Sequence, residues 1–297
     1  YMLGELVSTD KVLRLNDYPV ASYSGLLVVT DKRFETKYTS SFGVRVTSAY
    51  THGWAVLSDH DGESELGYVY IDDDGTYSGF ETGVYSNNNA GESLGADPVE
   101  LTYHTYMLEE GGLTYALHIT QNGGQGSLEV ETSSMKKMAN VSKEFVGGNV
   151  PEGLKVKSVA YKESIVLLLS EGGDVYMRDE ATYNGNVVPH VSKFTGTPAY
   201  IDGGMKLTHW INNSYYSSMM LNQGYVMAYD ALHKRMLAIR CYGWNQGRIL
   251  KVDNYANQVE THRPGDPGWD GTNSYPELAF PGPEDLSGYE MVLCTPY

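Results

Sequence analysis

The amino-acid sequence predicts an all-β protein with the architecture of a β-propeller of six to seven four-stranded blades. Short apolar runs of strand length recur along the chain, turns rich in Gly and Asp separate them, and helix signals are nearly absent. The chain has 297 residues, and at ~40–45 residues per blade this length fits six to seven blades. We therefore treat residues 1–297 as one domain, with two packed β-sandwiches as the alternative architecture.

The first third of the chain predicts three strands that each end in a polar turn. Asp and Gly in these turns tolerate the backbone conformations that reverse a chain between antiparallel strands. The predicted strands are residues 25–30, 53–58 and 66–71, and the turns that follow them are residues 31–33, 59–62 and 72–75.

The same strand and turn scheme continues to the end of the chain. One polar stretch, residues 133–144, is the only segment for which we expect a turn or two of helix. We also expect strands near the two termini to pair within one blade, because such pairing would protect exposed sheet edges. The further predicted strands are residues 113–119, 164–169, 174–178, 224–229, 234–239 and 289–294, and the N-terminal strand candidates are residues 1–7 and 11–15.

The charge balance excludes several classes of partner. Lys and Arg number 21 against 37 Asp and Glu, so the formal net charge is −16. A phosphate backbone or an anionic membrane surface is repelled by such a surface, and we expect no nucleic acid partner. The two cysteines, Cys241 and Cys294, are interpreted as either two buried thiols or a disulfide of an exported protein.

Three segments of the chain carry a resemblance to a known family. Residues 167–176, residues 224–230 continuing to Arg235, and residues 285–290 resemble blade motifs of the PKD-like family of surface lipoproteins in gut Bacteroidota. The resemblance covers roughly the last 140 residues. It implies an exported propeller protein at the outer-membrane surface, beside a nutrient-uptake system, and it implies no catalytic residue.

Aromatic residues beside carboxamides are the best candidates for a ligand site. A flat aromatic ring packs against a sugar ring, while Asn side chains can orient its hydroxyls. The loop at residues 258–283 is the longest candidate for a binding loop. Packing between blades is the alternative interpretation of the same residues. The predicted ligand-binding residues are Trp210, Trp244, Trp269, Tyr242, Asn245 and Asn212.

The motifs for catalysis or metal binding are weak. Ser93 lies in a G-x-S-x-G pattern, but its flanks predict a loop and no strand-to-helix turn. Alternating carboxylates can hold Ca²⁺, and Asp266 with Asp270 form one such candidate, as do the acidic turns at residues 59–63 and 72–74. We expect no catalytic residue and no cofactor other than this Ca²⁺.

Together these features predict a binding protein and no enzyme. The leading hypothesis is a cell-surface accessory protein that captures a glycan or glycopeptide for uptake-complex proteins of the outer membrane. A glycan-active hydrolase or lyase and a structural protein–protein interaction subunit are the alternatives. The chain begins at Tyr1, and we expect that an export signal has been removed and that the protein is extracellular or on the outer-membrane surface.

Overall fold

The computed structural model is dominated by antiparallel strands. It describes residues 5–10, 12–13, 21–107, 113–162, 165–179, 181–183, 186–188, 190, 192–210, 225–241, 247–251 and 286–288. Strands account for 55% and helices for 6% of the structure, whereas an average globular protein has about 20–25% strand. The predicted all-β class is therefore confirmed.

Eighteen strands and one short helix are present in the described residues. The helix α1 (Val84–Asn88) and two 3-10 turns, Val141–Lys143 and Val146–Gly148, lie between strands. The strands are β1 (Ala21–Asp31), β2 (Thr36–Val46), β3 (Gly53–His60), β4 (Glu63–Ile71), β5 (Tyr77–Glu81), β6 (Ala96–Met107), β7 (Leu113–Gly123), β8 (Leu128–Glu131), β9 (Lys137–Asn140), β10 (Val156–Lys162), β11 (Ile165–Ser170), β12 (Val175–Asp179), β13 (Ala181–Tyr183), β14 (Asn186–Val188), β15 (Leu207–Trp210), β16 (Tyr225–Asp230), β17 (Arg235–Arg240) and β18 (Ile249–Lys251).

Most of these strands form consecutive up-and-down meanders. Strands β6-β7-β8-β9, β10-β11-β12 and β15-β16-β17-β18 pair in chain order. Strands β3, β4 and β5 form a further antiparallel unit, which joins β6 through the single register pair Glu63 and Ala96. The hairpins β1-β2 and β13-β14 are separate two-stranded sheets. A four-stranded meander is the unit from which propeller blades are built.

The sheet β10-β11-β12 is covered on both faces. Every residue of β11 is buried, which explains why its sequence is continuously apolar and does not alternate. Val166 and Leu168 point to a core shared with β7, and Leu167 and Leu169 point to a core shared with β15–β18. Consecutive sheets stacked in series are the packing of propeller blades, while a sandwich sheet has only one covered face.

The propeller-type architecture is thus confirmed, and no closed sheet is found in the described residues. The number of blades stays a prediction. Pairing of the terminal strands also stays a prediction, because residues 1–4, 14–20 and 289–297 lie outside the described residues.

The expected helix at residues 133–144 is largely wrong. Residues 137–140 form strand β9, and only residues 141–143 form a 3-10 turn. The physical reason is tertiary packing: Met135, Val141 and the adjacent Phe145 are buried in cores between sheets, and strand β9 pairs with β8. Such packing overrides the weak helix propensity of a polar stretch.

Candidate functional site

Trp210, the one predicted ligand-binding residue within the described residues, lies in the core. Its ring is buried among the residues shared by β10–β12 and β15–β18, and its indole N–H donates a hydrogen bond to Ser158 Oγ at 3.0 Å. For Trp210 the packing interpretation is therefore the one the structure shows. The predicted residues Trp244, Trp269, Tyr242, Asn245 and Asn212 lie outside the described residues, so a ligand site there stays a prediction.

A different tryptophan stands on the surface. We call the side chains Trp54, Val56, Val69 and Phe80 the outer face, because they occupy the solvent side of β3-β4-β5. Trp54 is 70% exposed and Phe80 is 52% exposed. The opposite side of the same strands is packed into a core that includes Leu66 and Tyr68. Large exposed apolar side chains that adjoin one another mark interaction sites more often than single exposed ones do.

The register of the sheet fixes the geometry of the outer face. Trp54 on β3 is paired with Val69 on β4, which is paired with Phe80 on β5. The two aromatic side chains therefore start two strand spacings apart, about 10 Å. A Cβ added to Gly67 would lie 2.7 Å from Phe80 Cζ. The Phe80 ring therefore occupies space that is free because residue 67 has no side chain. The Phe80 ring thus lies against the backbone of β4, and the outer face is an apolar surface whose side chains start from defined positions on three paired strands.

An acidic cleft continues the outer face at the β3–β4 turn. Two cross-strand pairs, Ser58 with Glu65 and His60 with Glu63, follow Val56 on the same side of the sheet. The cleft has a volume of about 540 Å³ and also reaches the start of α1. Glu65 Oε1 accepts a hydrogen bond of 2.9 Å from the Gly83 backbone N–H. Carboxylates beside exposed aromatic rings favour a ligand that is cationic and partly apolar.

Ser93 of the G-x-S-x-G pattern lines this acidic cleft without the geometry of a nucleophile elbow. It lies in an irregular segment before strand β6, and its carbonyl accepts a hydrogen bond from Gln125 Nε2 at 2.7 Å. An elbow requires a strand that leads into the serine and a helix that follows it. The prediction that Ser93 belongs to a loop is confirmed.

The carboxylates of the acidic turns accept hydrogen bonds from backbone N–H groups of the same turns. Asp59 Oδ1 accepts from the Gly62 N–H at 2.8 Å, and Asp74 Oδ1 accepts from the Thr76 N–H at 2.8 Å. Hydrogen bonds from Thr76 lower the pKa of Asp74. Within the described residues no group of His, Cys, Asp or Glu is arranged to hold a metal ion. The Ca²⁺ candidates Asp266 and Asp270 lie outside this part of the chain.

A second polar constellation lies buried between the sheets. Glu129 Oε1 is 2.9 Å from His104 Nε2, and Glu129 Oε2 accepts a hydrogen bond of 3.3 Å from the Tyr161 hydroxyl. His118 Nδ1 lies 2.8 Å from the same hydroxyl. Because the hydroxyl donates to the carboxylate, it accepts from His118 Nδ1–H. These four residues connect β6, β7 and β8 to β10, and they form the first half of what we call the ionic cluster.

The second half of the ionic cluster is centred on Glu144. Its carboxylate contacts the Arg178 guanidinium, lies 3.2 Å from His190 Nδ1 and accepts a hydrogen bond of 2.8 Å from Lys193 Nζ. His190 Nε2 is also 3.8 Å from Glu129 Oε2, which links the two halves. The Arg178 side chain is 2% exposed and that of Glu144 is 6% exposed. This burial keeps ligands from both carboxylates, so the ionic cluster is a joint between sheets.

Protonation states in the ionic cluster follow from burial and charge. Burial lowers the pKa of His118 to about 3, so this imidazole is neutral. Burial opposes ionisation of Glu129, but the hydrogen bond and charge of His104 outweigh it and lower the Glu129 pKa to about 2. Burial also opposes the charge of His190, yet its hydrogen bond with Glu144 and the charges of both carboxylates raise its pKa.

Comparisons with known proteins provide little further information. No protein-family profile matches the chain, and no curated protein matches it in sequence. Among solved structures it is similar to Prp20p from Saccharomyces cerevisiae, a protein described by its binding to Gsp1p and histones, with 11% identity over 74% of this chain and a TM-score of 0.27. The chain spans about half the length of that protein, 54%. A similarity this distant carries no argument about function.

No helix in the described residues is long and apolar enough to cross a membrane.

Proposed function

We propose that this protein is a binding protein whose outer face receives a cationic, partly apolar segment of another protein chain. The observation that supports this proposal is the exposure of Trp54 and Phe80 on either side of Val69 on one sheet surface, next to the acidic cleft. Binding surfaces carried by rigid elements lose little conformational entropy when a partner docks.

The apolar part of the outer face is large enough to contribute substantially to a binding free energy. Covering the exposed portions of Trp54 and Phe80 would remove on the order of 200 Å² of apolar surface from water, about 5 kcal/mol before the costs of association. Aromatic side chains of this kind are enriched among the residues that dominate binding energy.

The net charge of the chain favours a ligand that carries positive charge. A protein of net charge −16 attracts cationic partners over distance and repels anionic ones. Glu63 and Glu65 place this negative charge at one end of the outer face. A neutral glycan would gain stacking against the rings without this electrostatic attraction, so we favour a protein segment over the predicted glycan or glycopeptide.

The other hypotheses for the function of this protein have less support from the described residues. A role beside an outer-membrane uptake system stays a prediction from sequence resemblance. The carboxylates of Glu129 and Glu144 converge, but they are buried in the ionic cluster beyond the reach of a substrate, so they do not support a hydrolase or lyase. A surface that binds protein partners needs exposed aromatic side chains with charged groups nearby, and the outer face and the acidic cleft provide both.

Calorimetric titration tests the proposal. The ligands are a short peptide of alternating Lys and Val, the same peptide with Glu in place of Lys, and cellohexaose. We expect the Lys peptide to bind and the Trp54→Ala variant to lose about 1–3 kcal/mol of binding free energy. Tyr200→Ala is the matched control, because Tyr200 is an exposed aromatic residue at a second cleft. Unchanged binding by Trp54→Ala refutes the assignment of the outer face, and binding of cellohexaose alone restores the glycan hypothesis.

A further inference from the structure

Strand β3 lies at the edge of its sheet. It pairs with β4 on one side, and in the part of the chain that the structure describes no strand pairs with it on the other side. Six of its eight residues are exposed and none is buried. This edge of β3 is therefore open to a further strand, and we call it the open edge.

The register shows which backbone groups face the open edge. The Ile71 N–H donates a hydrogen bond to the His52 carbonyl. In an antiparallel pair, residues that bond across to the neighbouring strand alternate with residues whose backbone faces away from it. Trp54 therefore bonds to β4, whereas Ala55 and Leu57 direct their N–H and C=O groups to the open edge.

Edge strands in natural proteins usually carry some protection against pairing with another chain. Short length, Lys or Pro residues, bulges and covering segments all serve this purpose. Strands β5, β9 and β15 have at most five residues, and each shows a register shift against its neighbour. Strands β10 and β12 are mostly buried. In contrast, β3 has eight residues without Lys, Arg or Pro, and its register with β4 has no shift.

Acidic turns lie at both ends of β3. Residues 59–63 include three carboxylates, and residues 72–74 are three aspartates. The second turn is beside the start of β3, because His52 Nδ1 is 3.7 Å from Asp73 Oδ1. A strand on the open edge would thus gain from cations at its two ends, about 27 Å apart, and from apolar residues between them, beside Trp54.

We propose that an extended segment of a partner protein adds to the open edge as an antiparallel strand. This inference rests on the proposed function, because it describes how the same partner segment is held. Main-chain hydrogen bonds to Ala55 and Leu57 supply affinity, while side chains beside Trp54 and Val56 and cations at the two acidic turns supply specificity. Antiparallel pairing continues the arrangement of β3 and β4, and it is more stable per residue than parallel pairing.

Calorimetric titration with N-methylated peptides tests the inference. The probe is acetyl-Lys-Thr-Val-Thr-Val-Thr-Val-Thr-Lys-amide. When its central Val lies opposite Val56, its two Lys residues lie beside the acidic turns. Its second and third Thr residues then lie opposite Leu57 and Ala55, with their N–H groups facing β3.

Methylation of these two Thr nitrogens removes the donors and places methyl groups at the open edge, so we expect binding to weaken at least about tenfold. Methylation of the first and third Val nitrogens is the matched control. These nitrogens face away from β3, and we expect binding to be retained. Equal effects of the two methylations, or a loss with the Val-methylated peptide alone, overturn the inference.

A substitution on the open edge tests the protein side. Ala55→Pro removes one N–H that faces the open edge, a change that edge strands tolerate. We expect this variant to keep the circular dichroism spectrum of the parent and to bind the unmethylated peptide at least about tenfold more weakly. Unchanged binding by the folded variant overturns the inference. If the variant does not fold, the methylated peptides decide, because they leave the protein unchanged.

Two further outcomes separate this inference from related ones. If Trp54→Ala weakens binding while the two methylated peptides bind equally, the proposed function stands and the strand addition does not. Sedimentation shows whether the parent pairs with itself. A parent dimer that the peptide dissociates would make β3 of a second copy the occupant of the open edge, and it overturns the assignment to another protein.

Discussion

Replacing Glu144 by Gln should destabilise the fold strongly while leaving the side-chain volume unchanged. Glu144 is the shared acceptor of Arg178, His190 and Lys193. The substitution removes the negative charge from a site where Arg178 is 2% exposed. The buried Arg178 guanidinium then loses this ionised partner.

The expected loss at neutral pH is about 3–5 kcal/mol, the usual cost of breaking a buried ion pair from one side. Lys193 is 35% exposed, so water screens it and its share is small. A loss of this size is a large part of the about 5–15 kcal/mol that stabilises an ordinary domain.

The loss should also depend on pH with a definite sign. Burial alone would lower the pKa of His190, but the Glu144 carboxylate and Glu129 raise it above its ordinary 6.5. The stabilisation from protonated His190 is therefore complete below pH 6.5 and disappears as the pH rises through the raised value. Glu144→Gln removes this contribution, so the difference from the parent should be larger in mild acid than in alkali.

Urea denaturation followed by circular dichroism measures the effect. Glu92→Gln is the matched control, because Glu92 pairs with Lys137 at the surface and such pairs contribute about 0–1 kcal/mol. If the two variants lose equal stability, or if the Glu144→Gln difference does not change with pH, the account of the ionic cluster is refuted.

Three further predictions follow from burial, and each is checked by urea denaturation. Burial lowers the pKa of His118 to about 3, so stability should be complete above the ordinary value of 6.5 and fall as the pH drops from there toward 3; His118→Asn should reduce this loss. Gly67→Ala should cost about 1–3 kcal/mol, because its Cβ would lie 2.7 Å from Phe80 Cζ, and it should also weaken peptide binding at the outer face. Leu167→Ala should cost about 2–5 kcal/mol, whereas Val146→Ala at the surface should stay within about 0.5 kcal/mol.

Strands with a local signal were predictable from sequence. The apolar runs that became β11 and β3 are both confirmed as strands, together with the turns that join them to β12 and β4. Strand β2 was missed because its residues are mostly small or polar. A strand of this composition is specified by pairing with its neighbour β1 more than by its own propensity.

The candidate site was predictable only in part. Trp210 and Trp54 both lie in short strands, and neither residue type nor neighbours in sequence indicate which one a later sheet covers. Period two places Trp54 and Val56 on one side of β3 and Ala55 and Leu57 on the other. All four residues are apolar, so only the structure shows that Ala55 and Leu57 are the pair that packs against the core.

The ionic cluster could not be predicted from local sequence. Its two carboxylates belong to β8 and to the segment after β9, and their partners come from β6, β7, β10, β12 and the segment beyond β14. His104, His118 and Glu129 lie on one side of the sheet because their strands pair in that register. Only the tertiary arrangement brings such distant residues together.

Salt should affect the surface charges of this protein and the buried charges of the ionic cluster differently. In the ionic cluster the buried carboxylates Glu129 and Glu144 are matched by Arg178, Lys193 and protonated His190, so the net charge of −16 resides mainly on the surface. Surface charges are screened beyond about 8 Å at physiological ionic strength, and buried pairs are screened much less. Raising the salt concentration should therefore weaken binding of the Lys peptide at the acidic cleft while changing the free energy of unfolding little. Lys-peptide binding that strengthens with salt would show that apolar contact alone drives binding, and the charges of Glu63 and Glu65 would then have no part in choosing the partner.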